Sequence, residues 1–435
     1  MKALYLDNLR GFDDTLIKFK DINFLVGENS TGKTSILSLF RNSFYYPFWE
    51  FCKFPDDLQR FEDLVSINAE DNSHFTIGIY YQISANDTLI MISTFDNDGG
   101  IPRLVKHTFL NKEQIIKIIF NYSDEKISYK SEAVEDLDED SLFGKVRKFH
   151  SVKSKQGFLQ IRKENVLIVY FHYRRLGITK DMVMKELNTV DSHGLFSGLI
   201  SPPTWIAPFR AEPKLTYDKG RYDYSSPDGS HVPYLLNELL HDSENLDKKN
   251  KKELKKLLDG VEEFGLNSGL FKKIVIKRLG SSNDKSAPFQ LQVVLNEKPL
   301  QITNVGFGVA QILPILIETL IERNNSFAIQ QPEVHLHPKA QASLGAYFYH
   351  VSKTDEKSFL IETHSDFLID RYRREYALDK EKKDSPAQVL FFKRNTKGKN
   401  EMHVIEIEPD GSYSANQPKE FREFFINEGI EMLNL

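Results

Sequence analysis

The sequence predicts an α/β fold whose largely parallel sheet carries a phosphate-binding loop, interrupted by a central α+β insertion. Three observations predict it. INFLV, residues 22–26, is a short apolar run that feeds GENSTGKTS and then the apolar ILSLF, the order strand, glycine loop, helix. Beyond residue 270, NVGFGVAQILPILIETLI, SFAIQQPEVHLHP, SFLIETHSDFLIDR and QVLFFKR alternate strand and helix character, as α/β proteins do. At 435 residues the chain is longer than one compact core usually holds, which leaves room for an insertion between these ends. The expected division is an N-terminal lobe over 1–110, an insertion or arm region over 111–270 and a C-terminal lobe over 271–435.

The elements follow in order. ALYLDNL and TLIKFK read as strands ahead of INFLV. FTIGIYYQIS, TLIMIST and RLVKHTF, between about 75 and 110, predict an antiparallel sheet. The stretch 111–200 is mixed, and its charge blocks VEDLDED and KVRKFHSVKSKQ read as a solvated loop or exposed face. WIAPFRAEP is a strand ending in a loop. DSENLDKKNKKELKKLLDGVEEF predicts a helix with an apolar stripe of Leu254, Leu257, Leu258 and Val261 and lysines on its other faces. KIVIKRL and FQLQVVL read as strands of the α/β alternation. There is no internal repeat, and no segment long enough for an extended coiled-coil arm.

Composition narrows the class. The chain is 40% hydrophobic and 27% charged, with no apolar run near the ~20 residues that span a bilayer. MKALYLDNLRGF lacks a signal-peptide layout, so a cytoplasmic protein without membrane contact is expected. One cysteine, Cys52, excludes a disulfide framework and a Cys-rich zinc site, and reads as a buried small hydrophobe. A net charge of −5 argues against general nucleic-acid coating. It leaves a local basic groove open, and the Lys248–Lys256 stretch is either a solvated helix face or a contact for DNA phosphates.

Gly27-Glu-Asn-Ser-Thr-Gly32-Lys33-Thr34 satisfies G-x-x-x-x-G-K-[ST], with an apolar strand before it and a helix after. Glycines let successive backbone N–H groups of Asn29, Ser30, Thr31 and Ser35 face phosphates at the positive end of a helix. Lys33 reaches the β- and γ-phosphates and Thr34 offers a hydroxyl to Mg²⁺. The motif predicts binding of a nucleoside triphosphate. Downstream, the glycines of Asn304-Val-Gly306-Phe-Gly308 open a helix, which is either an ordinary N-terminus or a cap for a γ-phosphate. His364 ends an apolar strand, as a γ-phosphate switch or a buried structural histidine.

The strand end FAIQQPEVHLHP is the unusual part. A Walker B strand ends in two acids, one for the metal and one for the attacking water, and here Gln330 and Gln331 stand in those places. A glutamine carbonyl accepts from a metal-bound water but brings no charge to a hard cation. At the second place it orients water without taking its proton. Glu333 is the nearest acid, with His364 as a second acceptor. Three explanations compete: slow hydrolysis using Glu333, an ATP-binding switch with little turnover, or a deliberate Glu-to-Gln change at 330 that traps ATP. His335 and His337 with Glu333 and His364 also admit a zinc reading, which the family resemblance set out next disfavours.

GENSTGKTS, NVGFGVAQ, PEVHLHPKAQ and ETHSDFLIDR, in this order, resemble the AAA15-type, RecF/SMC-like ATPases of the ATP-binding-cassette class. The motif-bearing ends, about half of the chain, carry the resemblance. WIAPFRAEP and SPDGSHVPYLLNELL are similar to segments of Septu-type and retron-linked antiphage ATPases, relatives of the overcoming-lysogenization-defect nucleases, and SYSANQPKEFREFF looks like the tail of stand-alone members. The resemblance implies a cassette-type head that dimerises, or forms a higher homo-oligomer, around two ATPs. Each ATP lies between Lys33 and Thr34 of one subunit and Asn304, Gly306 and Gly308 of the other. It places Arg10 near the nucleotide. Related sequences often carry Glu-Gln-Pro-Glu at this strand end, so Gln331 fits the branch and Gln330 departs from it.

A self-contained nuclease is not expected, because only about 60 residues follow FLIDR and they hold no acidic cluster. The expected function is an ATPase subunit, using ATP and Mg²⁺, that gates a separate effector such as a nuclease in antiphage defence. The alternatives are an ATP-stabilised scaffold with little turnover and a RecF-like DNA-repair ATPase.

Overall fold

The computed structural model describes residues 1–43, 60–67, 71–84, 87–111, 114–123, 126–134, 139–154, 156–162, 202–218, 225–241, 248–280, 287–321, 325–382, 386–421 and 423. Cys52 and most of VEDLDED lie outside them. The chain forms two compact units, one of 1–19, 30–202 and 393–402, the other of 20–29, 203–392 and 403–435. The fold is α/β with a cassette-type head, as expected. No helix among the described residues is long and apolar enough to cross a membrane.

The first unit is built on an eight-stranded sheet. Its strands are β1 (Ala3–Asp7), β2 (Thr15–Lys18), β4 (His74–Ser84), β5 (Asp87–Asp98), β6 (Ile101–Asn111), β7 (Gln114–Asn121), β8 (Lys126–Ala133) and β9 (Leu159–Arg162), in the order β2-β1-β4-β5-β6-β7-β8-β9. Every pairing is antiparallel, and the sheet runs unbroken across residue 110, where β6 pairs with β7. Gly99 and Gly100 take positive φ, 62° and 88°, in the tight turn between β5 and β6.

Helices α1 (Lys33–Asn42), α2 (Phe61–Leu64) and α3 (Glu139–Ser151) belong to this unit. Phe143, Val146 and Phe149 of α3 pack on Ile90, Ile92 and Ile115 of the sheet. Lys117 is buried beneath them, and its ammonium donates to the carbonyls of Phe149, His150 and Val152 at 3.2, 2.9 and 2.6 Å, satisfying the helix C-terminus. His150 lies between the hydroxyls of Thr94 and Thr108, and His107 meets Ser93. KVRKFHSVKSKQ is therefore partly a helix end that buries Val146, Phe149 and His150, while Lys148 and residues 151–154 are exposed as expected. Its apolar residues recur at helical spacing inside the charge block.

The second unit holds the parallel sheet. Its strands are β3 (Ile22–Gly27), β10 (Thr204–Ile206), β14 (Ser326–Gln330), β15 (Ser358–Glu362), β16 (Ala387–Arg394) and β17 (Asn400–Glu406), in the order β10-β14-β15-β3-β16-β17. From β10 to β16 every pair is parallel. Continuous apolar sequence goes with this position, and β3 is buried along its whole length.

Helices α4 (Val232–His241), α5 (Lys248–Ser268), α6 (Phe307–Leu320), α7 (Pro338–Thr354) and α8 (Asp366–Leu378) belong to the same unit. In α5 the expected stripe faces inward: Leu254, Leu257 and Val261 are buried and Leu258 partly so. Where α7 meets α8, a Cβ on Gly345 would stand 2.0 Å from the Leu368 carbonyl oxygen, so only glycine lets the backbones approach so closely.

One expectation is corrected. KIVIKRL and FQLQVVL form β11 (Lys273–Arg278) and β12 (Phe289–Val294), which with β13 (Pro299–Gln301) make a separate antiparallel sheet. The ten residues 279–288 between β11 and β12 are too few for a parallel crossover, so the two strands pair back on each other.

Candidate functional site

The phosphate loop leaves the carboxyl end of β3. Gly27 closes that strand at φ 142°, and a Cβ there would lie 2.0 Å from the Phe392 carbonyl oxygen on β16, so this position admits only glycine. Ser30 takes a left-handed φ of 62° and its carbonyl accepts from Arg394 Nη2 at 2.7 Å. Gly32, φ 94°, precedes α1, and a Cβ would meet the Phe12 ring at 2.5 Å. No side chain caps α1 and its first turn contains no acid, which leaves a helix N-terminus suited to an anion. Lys33 opens the helix and is buried with Thr31, while Asn29 and Thr34 are exposed. Arg10, left-handed at φ 47°, donates through Nη1 to Ser35 Oγ at 3.0 Å and through Nε to the Asp63 carbonyl at 3.1 Å. It thus sits against the first turn of α1.

The other expected residues gather at the carboxyl edge of the parallel sheet in the second unit. Gln330 ends β14 and is buried; its Nε2 donates to Glu362 Oε2 at 3.0 Å on the neighbouring β15. Gln331 follows at a left-handed φ of 41°, its N–H donating to the Glu362 carbonyl at 2.7 Å. A non-glycine residue held there stores backbone strain of the kind found at functional sites. Glu333 is gripped from the loop after β15: Oε2 accepts from Thr363 Oγ1 at 2.8 Å and Oε1 from the His364 backbone N–H at 2.7 Å. Burial pushes the Glu333 carboxyl above its usual range, against these hydrogen bonds and the Arg210 charge, which pull it down.

Asn304, on a short 3-10 turn over 302–304, and Gly306 are exposed ahead of α6. Gly308 lies against the His335 carbonyl oxygen, 2.8 Å from where a Cβ would stand. Phe307 meets the His335 ring edge-on at 5.2 Å, and His337 Nδ1 accepts from Ala340 N–H at 3.3 Å to cap α7. The His-x-His pair therefore has structural contacts. Among the described residues no group of three or more His, Cys, Asp or Glu side chains could hold a metal. That donor set does not fit an all-protein zinc site. The buried Glu362 carboxylate beside Gln330 is an oxygen donor of the kind Mg²⁺ takes together with phosphate oxygens and water.

Two residues were missed in the sequence. Arg210, 5% exposed, donates to the carbonyls of Gln331 (3.3 Å) and Gln330 (3.2 Å), and burial lowers its pKa to about 10. It is the lone cation in WIAPFRAEP, a signal visible in the string. Glu362 is the acid in FLIETH, set at a strand end two residues before the expected switch histidine.

A model of the AAA ATPase domain (AAA15 type) matches residues 1–186 and 228–369. No curated protein matches the chain significantly. Similar solved structures include the Smc head bound to the C-winged-helix domain of ScpA, at 10% identity over 94% of this chain and 98% of that one, with a TM-score of 0.46. The SMC head domain of Thermotoga maritima matches at 9% identity over 94% and 98%, TM-score 0.41. The Smc head with an extended coiled coil, bound to the C-terminal domain of ScpA and derived from Pyrococcus furiosus, matches at 9% over 100% and 98%, TM-score 0.41.

Proposed function

Because the chain belongs to the AAA ATPase domain family, we propose that it is a Mg²⁺-dependent ATPase whose nucleotide state gates a separate effector, a nuclease, in antiphage defence. The observation that carries the ATPase reading is the Glu333 carboxylate, fixed by Thr363 and the His364 N–H beside the strand end that holds the two glutamines. An acid with a raised pKa is a better proton acceptor than an ordinary surface carboxylate. In this reading Lys33 and the loop N–H groups hold phosphates, and Thr34 and Gln330 face the metal. Gln331 orients the water, Glu333 takes its proton and His364 senses the γ-phosphate. Bound Mg²⁺ would neutralise phosphate charge.

The exposed Asn304 and Gly306, at the start of α6, are open to the nucleotide of a second copy, which supports an ATP-sandwiched homodimer. The effector part rests on the likeness of WIAPFRAEP and SPDGSHVPYLLNELL to defence ATPases.

The test is ATP turnover and bound nucleotide for the chain beside Lys33→Ala, Gln330→Glu and Glu333→Ala. The reading expects slow turnover by the chain, none by Glu333→Ala with ATP still bound, and no bound nucleotide in Lys33→Ala. Turnover that survives Glu333→Ala, or appears only with Gln330→Glu, removes Glu333 as the base. Nuclease activity that depends on ATP and on a co-purified partner tests the effector part.

A further inference from the structure

The strand order gives the metal side of the site a second carboxylate. The parallel sheet runs β14-β15-β3, so β15 lies between the strand that ends in Gln330 and the strand that feeds the phosphate loop. In register, Gln330 pairs with Glu362, and Glu362 pairs with Leu25, two residues before Gly27. The Glu362 carboxylate is therefore one strand nearer the phosphate-loop strand than the Gln330 side chain is. It is 5% exposed, and Gln330 Nε2 donates to its Oε2 at 3.0 Å. Position 330 has thus kept a polar contact to an acid while carrying none itself.

Resting on the ATPase reading above, we infer that Glu362 supplies the negative charge for the Mg²⁺ hydration shell that Gln330 lacks, with the Gln330 amide fixing its orientation. A hard cation needs at least one anionic protein oxygen beyond the phosphates to be held tightly, and a carboxylate acting through bound water meets that need. Glu333 is the less suitable candidate, because both of its oxygens are turned to Thr363 and the His364 N–H on the following loop. Gln330 and Glu362 together reproduce the charge of an acid-terminated strand, with the acid moved one strand across the sheet. Glu362 is a positioning residue for the metal, with no role in proton transfer.

The experiment titrates Mg²⁺ into the full chain with a fluorescent ATP analogue and measures analogue affinity in EDTA alongside. Mn²⁺ in place of Mg²⁺ gives a direct paramagnetic-resonance readout of bound metal. Glu362→Gln keeps the shape of the side chain and its ability to bond Gln330, and removes only charge. The expected result is an about 10- to 100-fold weaker metal dependence in Glu362→Gln, the range seen when water-mediated metal partners are lost, with EDTA affinity unchanged. Adding Gln330→Glu to that variant should restore the metal dependence. Unchanged metal affinity in Glu362→Gln, or a double variant no better than the single, overturns the inference. If Glu362→Gln is insoluble, Glu362→Ser decides: it also removes the charge while leaving a smaller polar side chain, and undiminished metal affinity there has the same meaning. Failure of the unmodified chain to bind the analogue in either condition counts instead against the nucleotide reading.

Discussion

Glu333 and Arg210 are coupled charges, and the coupling gives the site a pH signature. If Glu333 is the base, as proposed above, it must be ionised to accept a proton, and because burial raises its pKa, turnover should fall as pH drops through a value above the ordinary carboxylate range. Arg210 lowers that value by its charge. Arg210→Met should therefore move the acid limb of the turnover profile to higher pH, while Lys256→Met, which removes a surface cation paired with Asp355, should not move it; a pH profile of single-turnover rates checks both. Arg210→Met also strips donors from the Gln330 and Gln331 carbonyls and should cost about 1–3 kcal/mol of stability in urea unfolding. Lys33, Glu333 and His364 were visible in the string because each sits in a spaced motif. Glu362 and Arg210 stand in the string as a lone acid and a lone cation, but what gives them a role is a partner that only the fold supplies: register pairs Glu362 with Gln330, and burial points Arg210 at two carbonyls.

Among elements, α3 and the sheet beneath it should be the acid-sensitive part of the molecule. His107 and His150 are buried among hydroxyls, and burial holds both well below their usual pKa, His107 at about 3. The unfolded chain takes up these protons near pH 6.5 and the folded one only at lower pH. Stability is thus complete above about 6.5 and falls with decreasing pH by about 1.4 kcal/mol per unit for each histidine. Denaturant unfolding at pH 7 and pH 5 should show this loss, and His107→Gln should reduce its slope. At the α7–α8 crossing, Gly345→Ala forces a carbon against the Leu368 carbonyl and should destabilise by about 1–3 kcal/mol, read as a lower thermal midpoint. Strand and helix identities were largely legible from periodicity, as β3, α5 and α6 show. Pairing was not, because the β11–β12 run looks like any other strand pair until loop length is counted.

At the scale of the whole molecule, residues far apart in sequence share one sheet: β3 lies between β15 and β16, so an N-terminal strand is the centre of a C-terminal layer. A fragment of residues 203–435 should therefore lack cooperative unfolding, and co-expression with residues 1–202 should restore it; circular dichroism during heating distinguishes the two. That the ends fold together was expected from the motif order, whereas the division into two units depends on contacts no string displays. The buried centre of the sheet also sets a clock for synthesis. About 370 residues separate Gly27 from the end of β16 at Arg394, and a ribosome adds roughly 5–20 residues per second. The apolar INFLVG strand thus waits on the order of 20–75 s before the partners on either side of it are made. In that interval it is an open edge for chaperones or for neighbouring nascent chains, and translation speed becomes part of how this protein reaches its native state.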